Sequence, residues 1–302
     1  MRHIPVLLTE TIEILALKPG DKVIDCTLGD GGHAELILEK TGPDGKLLGI
    51  DADPESLLRA KRYLYNFGER VAYARDNFKN LKQIAESRGF GEVNGILMDL
   101  GWSSQQFEER GRGFSFEKIE PLDMRYTPAD ASVPTAAEIL NQSSEEELAK
   151  IFKQFGEEDL HREIAVAVVS RRAKAPVENT GQLSEIVLKA YRQKLGTDRE
   201  IPWVGGLHPA TKVFQALRLA VNRELEALKQ ALPQALGLLA PEGRLAIISF
   251  HSLEDRIVKH FFQSLPASQF EIIIKKPVAA SEAEIESNRR ARSAKLRALK
   301  KL

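Results

Sequence analysis

The chain has 302 residues, 43% hydrophobic and 28% charged, and its 43 Lys and Arg balance 43 Asp and Glu. That length suits two domains or one elaborate one, and the composition excludes disorder, collagen and low-complexity assemblies. With zero formal charge no whole-molecule field attracts nucleic acid or an acidic membrane, so a polyanionic partner must meet a local basic patch.

Short apolar runs alternate with helical patterns over the first hundred residues. Segments 22–27, 46–51, 70–74 and 94–100 each have the length of a buried strand, with few turn formers inside. Between them, 34–40, 54–67 and 78–88 read as helices, the second opened by Asp53 as N-cap and Pro54 at the first helical position. Continuous apolar strands alternating with helices predict a parallel sheet covered on both faces. From 101 to 128 the chain is rich in Gly, Ser, aromatics and both charge signs without a period, which predicts a long functional loop. Helical signals follow. Thr135 with Glu138, and Ser143 with Glu146, stand at capping-box spacing, and 145–155, 158–174 and 182–195 are amphipathic.

A second irregular stretch, 196–209, leads to a helix from Ala210, a further helix and the buried strand 243–250. Ser252 and Asp255 stand at capping positions of another helix, 270–275 reads as a strand, and 294–299 alternates at period two as an edge strand would. The expected fold is therefore α/β, with an all-α domain inserted between the fourth and fifth strands. Residues 1–107 and 206–302 form the α/β domain, and 108–205 the inserted loop and helices. The single cysteine, Cys26, cannot form an intrachain disulfide, and the six histidines show no metal-ligand spacing, so no metal site is expected. No apolar run approaches about 18 residues and no leader precedes the first helix, which points to a cytoplasmic protein without a membrane partner.

The first strand runs into Thr27-Leu28-Gly29-Asp30-Gly31-Gly32-His33, a glycine turn that lets a nucleotide-like ligand approach backbone amides. Ala34 occupies the place of the third glycine of a dinucleotide fingerprint, which argues against a nicotinamide oxidoreductase. Asp51 ends the second strand 22 residues after Gly29, where a carboxylate accepts hydrogen bonds from ribose hydroxyls; the bland alternative is a turn former beside the Asp53 cap. The fourth strand ends Met98-Asp99-Leu100-Gly101-Trp102, placing Asp99 and Trp102 at the carboxyl edge of the sheet. Carboxylate, tight turn and ring together resemble the loop with which amino-methyltransferases hold an exocyclic amine and stack the base. Simple packing is the alternative for Trp102. Ser249, His251, Ser252 and Asp255 suggest a hydrolase less well than a capped helix, since no GxSxG elbow is present. The tail 288–302 holds seven Lys or Arg and no acid, including Arg289, Arg290 and Arg292, and the loop supplies Arg112, Phe114 and Arg125. Such groups suit phosphate contact and base stacking in RNA.

Longer motifs make the comparison specific: HIPVLLTE (3–10), DCTLGDGGH (25–33), GIDADP (49–54), DLGWSSQQ (99–106), RGFSF (112–116), PLDMR (121–125), HPATKVFQALRLAVN (208–222), ISFHSLEDRIVK (248–259) and RARSAKLR (290–297). In these the chain resembles the ribosomal small-subunit methyltransferase H family, also called MraW. The resemblance implies a Rossmann-like class I fold with a helical insertion, S-adenosyl-L-methionine as cofactor, and 16S ribosomal RNA of the small subunit as partner. It implies methyl transfer to N4 of a decoding-site cytidine with Asp99 as a catalytic residue, and the likeness to the amino-methyltransferase loop adds Trp102 as the second. Gly31, Gly32 and His33 would line the methionine and ribose portion, Asp51 would hold the ribose and Phe78 flank the adenine, while Asp99 and Gln106 complete the cofactor site. The chain departs from the usual pattern at Trp102 and Gln105, where the family commonly has a small aliphatic residue and Pro. An adenine-N6 or DNA methyltransferase, or a non-catalytic RNA-binding assembly factor, would share parts of this pattern, and monomer or homodimer is left open.

Overall fold

In the computed structural model, which describes residues 4–101, 111–197, 199, 201 and 207–302, the described strands form one seven-stranded sheet. They are β1 (Lys22–Asp25), β2 (Lys46–Asp51), β3 (Val71–Arg75), β4 (Val93–Asp99), β5 (Leu239–Ser249), β6 (Phe270–Ile272) and β7 (Lys295–Lys301). Their order is β3-β2-β1-β4-β5-β7-β6. The pairings among β1 to β5 are parallel, and β7 runs antiparallel between β5 and β6.

Side chains on consecutive strand residues face opposite ways, and here both directions are apolar. Ile24, Leu48, Ile96 and Ile247 enter one core cluster, while Val23, Leu47, Leu97 and Ala246 enter another. Helices Leu8–Leu15, Gly32–Lys40 and Pro54–Tyr63 contribute to the second cluster; Leu81–Ser87, Glu224–Leu238 and Ser252–Gln263 contribute to the first. A sheet buried on both faces has no polar stripe, which is why its strands read as continuous apolar runs. Asp53 caps its helix as expected, accepting from the amides of Glu55 and Ser56, with Pro54 following. Among the described residues no helix is long and apolar enough to cross a membrane.

The chain divides into two compact units, Met1–Trp102 with Leu225–Leu302, and Ser103–Glu224. Helix Thr211–Asn222, which the sequence assigns to the α/β part, belongs to the second unit because it packs on helix Glu145–Gly156. Gly156 allows that packing, since a Cβ there would collide with the Lys212 carbonyl.

Other expectations shift by small steps with identifiable causes. The capping box at 145 uses Ser144 and Glu147, one residue beyond the expected pair, because the Ser143 amide closes the preceding helix on the Ile139 carbonyl (3.1 Å). Helix Ser252–Gln263 is capped by His251 and Glu254, not by Ser252 and Asp255. Asp255 is thereby released to accept from Arg297 Nε (2.6 Å) and Nη2 (3.2 Å), tying this helix to β7. The period-two tail is a strand, but an interior one, with β6 rather than solvent on its far side.

Candidate active site at the carboxyl edge of the sheet

β1, β2 and β4 each end on an aspartate, and the turn between β1 and helix Gly32–Lys40 lies among them. Asp25 is 1% exposed and its Oδ1 accepts from the Thr27 amide at 3.1 Å. Burial pushes its pKa up to about 7. The Thr27 hydroxyl oxygen accepts from the Asp99 amide at 2.7 Å, joining the ends of β1 and β4.

The turn itself holds Asp51. Gly29, at φ +52°, donates its amide to Asp51 Oδ2 at 2.8 Å, and the Asp53 amide donates to Oδ1 at 2.8 Å. Burial raises the Asp51 pKa to about 6 against the pull of those two amides. Gly31, at φ +82°, opens the following helix in a conformation that disfavours side chains. Gly32 answers to a different constraint: a Cβ there would collide with Pro5. The segment before the first helix thus lies against the start of this one. His33 is 5% exposed, and its Nε2 stands 3.1 Å from the Val6 carbonyl. The Asp76 amide donates to the Asp51 carbonyl, and half-buried Phe78 follows in the 3₁₀ turn Phe78–Asn80.

Asp99 ends β4. Its Oδ1 is buried and has no hydrogen-bond partner among the described residues, and its Oδ2 lies 3.7 Å from His33 Nδ1. Burial, followed by the charges of Asp25 and Glu254, drives its pKa well above the usual carboxylate range, against an opposing pull from Arg290. Three aspartates that resist ionisation make a sheet edge short of positive charge. A ligand carrying a cationic centre and hydroxyl donors would relieve that shortage, and S-adenosyl-L-methionine, with its sulfonium and ribose, has both.

Gly31, Gly32, His33, Asp51 and Asp99 therefore stand together, with Phe78 beyond the end of the neighbouring β3. Trp102 and Gln106 lie outside the described residues. Arg112, Phe114 and Arg125, expected to face RNA, have partners within their own loop. Arg112 Nη1 donates to the Arg125 carbonyl at 2.9 Å and its guanidinium lies over the Phe114 ring. Phe114 is 6% exposed and stacks on Tyr126, and Arg125 grips Asp123 through two bonds of 2.8 Å. These groups fold their own loop. Arg289 and Arg292 are exposed, whereas Arg290 is half-buried and its charge reaches Asp99. Sequence reasoning passed over Asp25 and Glu254. Asp25 was legible only as a carboxylate inside the first apolar run, and Glu254 carries no signal apart from its place three residues after His251.

Residues 1–302 match the MraW methylase family. Ribosomal RNA small subunit methyltransferase H of Symbiobacterium thermophilum is 47% identical over 99% of this chain and 96% of that protein. The protein of the same name from Heliobacterium modesticaldum is 44% identical over 99% of this chain and 98% of its own. Among solved structures, a putative rRNA-methylase from Clostridium thermocellum covers 100% of both chains at 12% identity and a TM-score of 0.48. With a family match along its whole length and relatives at this identity, the chain belongs to the MraW methylase family and is a methyltransferase whose methyl donor is S-adenosyl-L-methionine.

Proposed function

We propose that the protein methylates N4 of a decoding-site cytidine in 16S ribosomal RNA of the small subunit. The observation that carries this reading is Asp99 Oδ1, a buried acceptor at the end of β4 with no hydrogen-bond partner among the described residues. An exocyclic amine is a donor that completes it. The relatives' name supports small-subunit rRNA as the substrate, and the family resemblance along the whole chain supports cytidine N4.

Cytidine N4 is a weak nucleophile because its lone pair is delocalised into the ring. Transfer therefore needs in-line positioning and a group that takes up the charge developing on nitrogen. When bound, S-adenosyl-L-methionine supplies an electrophilic methyl on a positively charged sulfur. Asp99 accepts an N–H of the amine and aims the remaining lone pair. Gly31, Gly32 and His33 hold the methionine and ribose portion, Asp51 the ribose hydroxyls and Phe78 the adenine, with Gln106 completing the cofactor site. Trp102 stacks on the target base, which must be presented unpaired. Arg289 and Arg292 meet phosphates, the unit Ser103–Glu224 adds RNA recognition, and the enzyme works in the cytoplasm.

Incubation with labelled S-adenosyl-L-methionine and undermodified small subunits, followed by mass spectrometry of nucleosides, tests the whole reading. N4-methylcytidine is expected; a methyladenosine or ribose-methylated product would overturn it. Asp51→Asn should weaken cofactor binding by about 1.5–3 kcal/mol, roughly tenfold to a hundredfold, through loss of a charge-assisted bond. Because the Asp51 pKa is raised to about 6, wild-type affinity should also decline as pH falls below that value, a decline the Asn variant lacks. Calorimetry at two pH values checks both. Removing the charges of Arg289 and Arg292 should flatten the salt dependence of RNA binding by about 0.7–0.9 in logarithmic slope per phosphate contact, with cofactor affinity unchanged. An unchanged slope would assign these arginines to the fold.

A further inference from the structure

We infer that His33 and Asp99 form a one-proton pair, in which His33 Nδ1 holds, through Asp99, the proton released by the methylated amine. The inference rests on the amino-methyltransferase reading of the site.

The argument begins at Val6. A carbonyl oxygen only accepts, so the 3.1 Å contact between Val6 O and His33 Nε2 places the ring hydrogen on Nε2. The neutral ring then presents a lone pair at Nδ1, and Nδ1 faces Asp99 Oδ2 at 3.7 Å. An ionised Asp99 would set a second lone pair opposite the first. Two acceptors facing each other in a buried site repel, and a single proton between them turns that repulsion into a charge-assisted attraction. The pair therefore has room for one proton and a strong preference for holding it.

The ring cannot turn freely to escape this arrangement. It is 5% exposed, and its partner Val6 sits in a segment fixed at both ends. The Leu7 amide donates to Glu284 Oε1 at 2.8 Å, and Asn288 Nδ2 donates to the Ile4 carbonyl at 3.1 Å. Pro5 lies against Gly32, the residue before His33. The segment ahead of the first helix thus sets the tautomer, anchored in turn by helix Glu282–Ser287.

Among the described residues, the charged groups acting on Asp99 come from different elements. Asp25 from β1 and Glu254 from helix Ser252–Gln263 favour its protonation, and Arg290 from the 3₁₀ turn Arg289–Ser293 opposes it. Glu254 is engaged with the amides of Phe250 (2.9 Å) and His251 (3.3 Å), and the His251 ring lies 3.3 Å from its other oxygen. Asp25 is held by Thr27. His33 is thus the base that faces Asp99 directly.

The step balances as follows in atoms and charge. A bond forms between N4 and the methyl carbon, the carbon–sulfur bond breaks, and its electron pair stays on sulfur in neutral S-adenosylhomocysteine. The extra proton on N4 passes to Asp99. Rotation of the carboxyl then brings that proton to the side of His33 Nδ1, leaving carboxylate and imidazolium side by side. The pair empties to water once the products have left. Asp99 touches the amine and is catalytic; His33 acts through it as a positioning residue.

His33→Gln isolates the claim, because a glutamine amide nitrogen reaches the place of Nε2, keeps the donor to Val6 and puts nothing at Nδ1. Single-turnover rates at saturating cofactor and small subunits should fall about tenfold or more at the alkaline plateau. The acid limb should move to lower pH by about one unit, since Asp99 alone holds a proton less tightly than the pair. In ¹⁵N NMR of the cofactor-free protein, His33 should carry its hydrogen on Nε2 and titrate in the range of the wild-type limb, and Asp99→Asn should lower that midpoint. A Gln profile superimposable on wild type, an equal rate loss at every pH, a loss confined to cofactor affinity, or an Nδ1–H tautomer would each overturn the pair. Nucleoside analysis of the wild-type product separates the two claims: a product methylated elsewhere than on a base amine removes the functional reading, whereas the NMR titration tests the pair without turnover.

Discussion

Asp99→Asn is expected to slow methyl transfer by about two to four orders of magnitude, the usual worth of a positioned general base, while stabilising the fold above neutral pH. The amide keeps the shape and the backbone bond from residue 99 to Thr27, but it has no charge to meet the developing cation on N4. Its stability effect follows from linkage. Burial, with the charges of Asp25 and Glu254, raises the folded-state pKa of Asp99 above the value of about 3.9 expected when unfolded. A raised carboxyl contributes stability that is fully present below the unfolded pKa and is lost as pH rises through the folded one. Above the unfolded pKa the wild type must therefore either bury that charge or take up a proton on folding, a cost that the variant lacks. Denaturant unfolding at pH 8 should show the Asn variant ahead, with the difference shrinking toward pH 4. Wild-type single-turnover rates in a folded variant would remove Asp99 from catalysis, and a less stable variant at pH 8 would contradict its buried, charge-poor setting.

Arg297→Ala should be strongly damaging although it lies away from the site, costing about 3 kcal/mol. Arg297 lies on β7 with its side chain 9% exposed and makes two hydrogen bonds to Asp255, itself 13% exposed. Truncation leaves the Asp255 carboxylate buried beside only Lys295, at 3.6 Å and 43% exposed, which places the cost at the low end for a broken buried pair. Burial pushes the Asp255 pKa up, but hydrogen bonding and charge from Arg297, aided by Lys295, outweigh it and hold the carboxyl below its ordinary value. A depressed carboxyl contributes stability present above the unfolded pKa and lost as pH falls through the folded one. The Ala variant should thus lose most at pH 7 and approach wild type near pH 3. Replacing both partners, Arg297→Met with Asp255→Leu, should recover much of the loss, because an apolar pair leaves no stranded charge. Equal stability of wild type and Arg297→Ala at pH 7 would show that the pair contributes nothing.

What the amino-acid sequence determined by itself was whatever depends on a few neighbouring residues. The apolar runs of β1 to β5 were legible because a strand buried on both faces needs no partner to declare itself, and Asp53-Pro54 and Thr135 with Glu138 set helix starts within one turn. Asp51 and Asp99 were legible for the same reason: each follows directly from the end of a strand. Neighbouring candidates blurred that kind of signal, so Ser143 and Ser144 were indistinguishable until the Ile139 carbonyl claimed one of the two amides. Only the tertiary structure decided features whose cause lies far along the chain. Alternation in 295–301 identifies a strand, yet nothing local says that β5 lies on one side and β6 on the other. That position 32 has no room for a side chain depends on Pro5, which lies against it from 27 residues earlier. Arg112, Phe114 and Arg125 have the composition of an RNA surface, and only the fold reveals the stacking and ion pairing that they make within their own loop. The tautomer of His33, and with it the proton chemistry of Asp99, depends on a carbonyl 27 residues earlier, because a hydrogen-bond partner is chosen by distance in space.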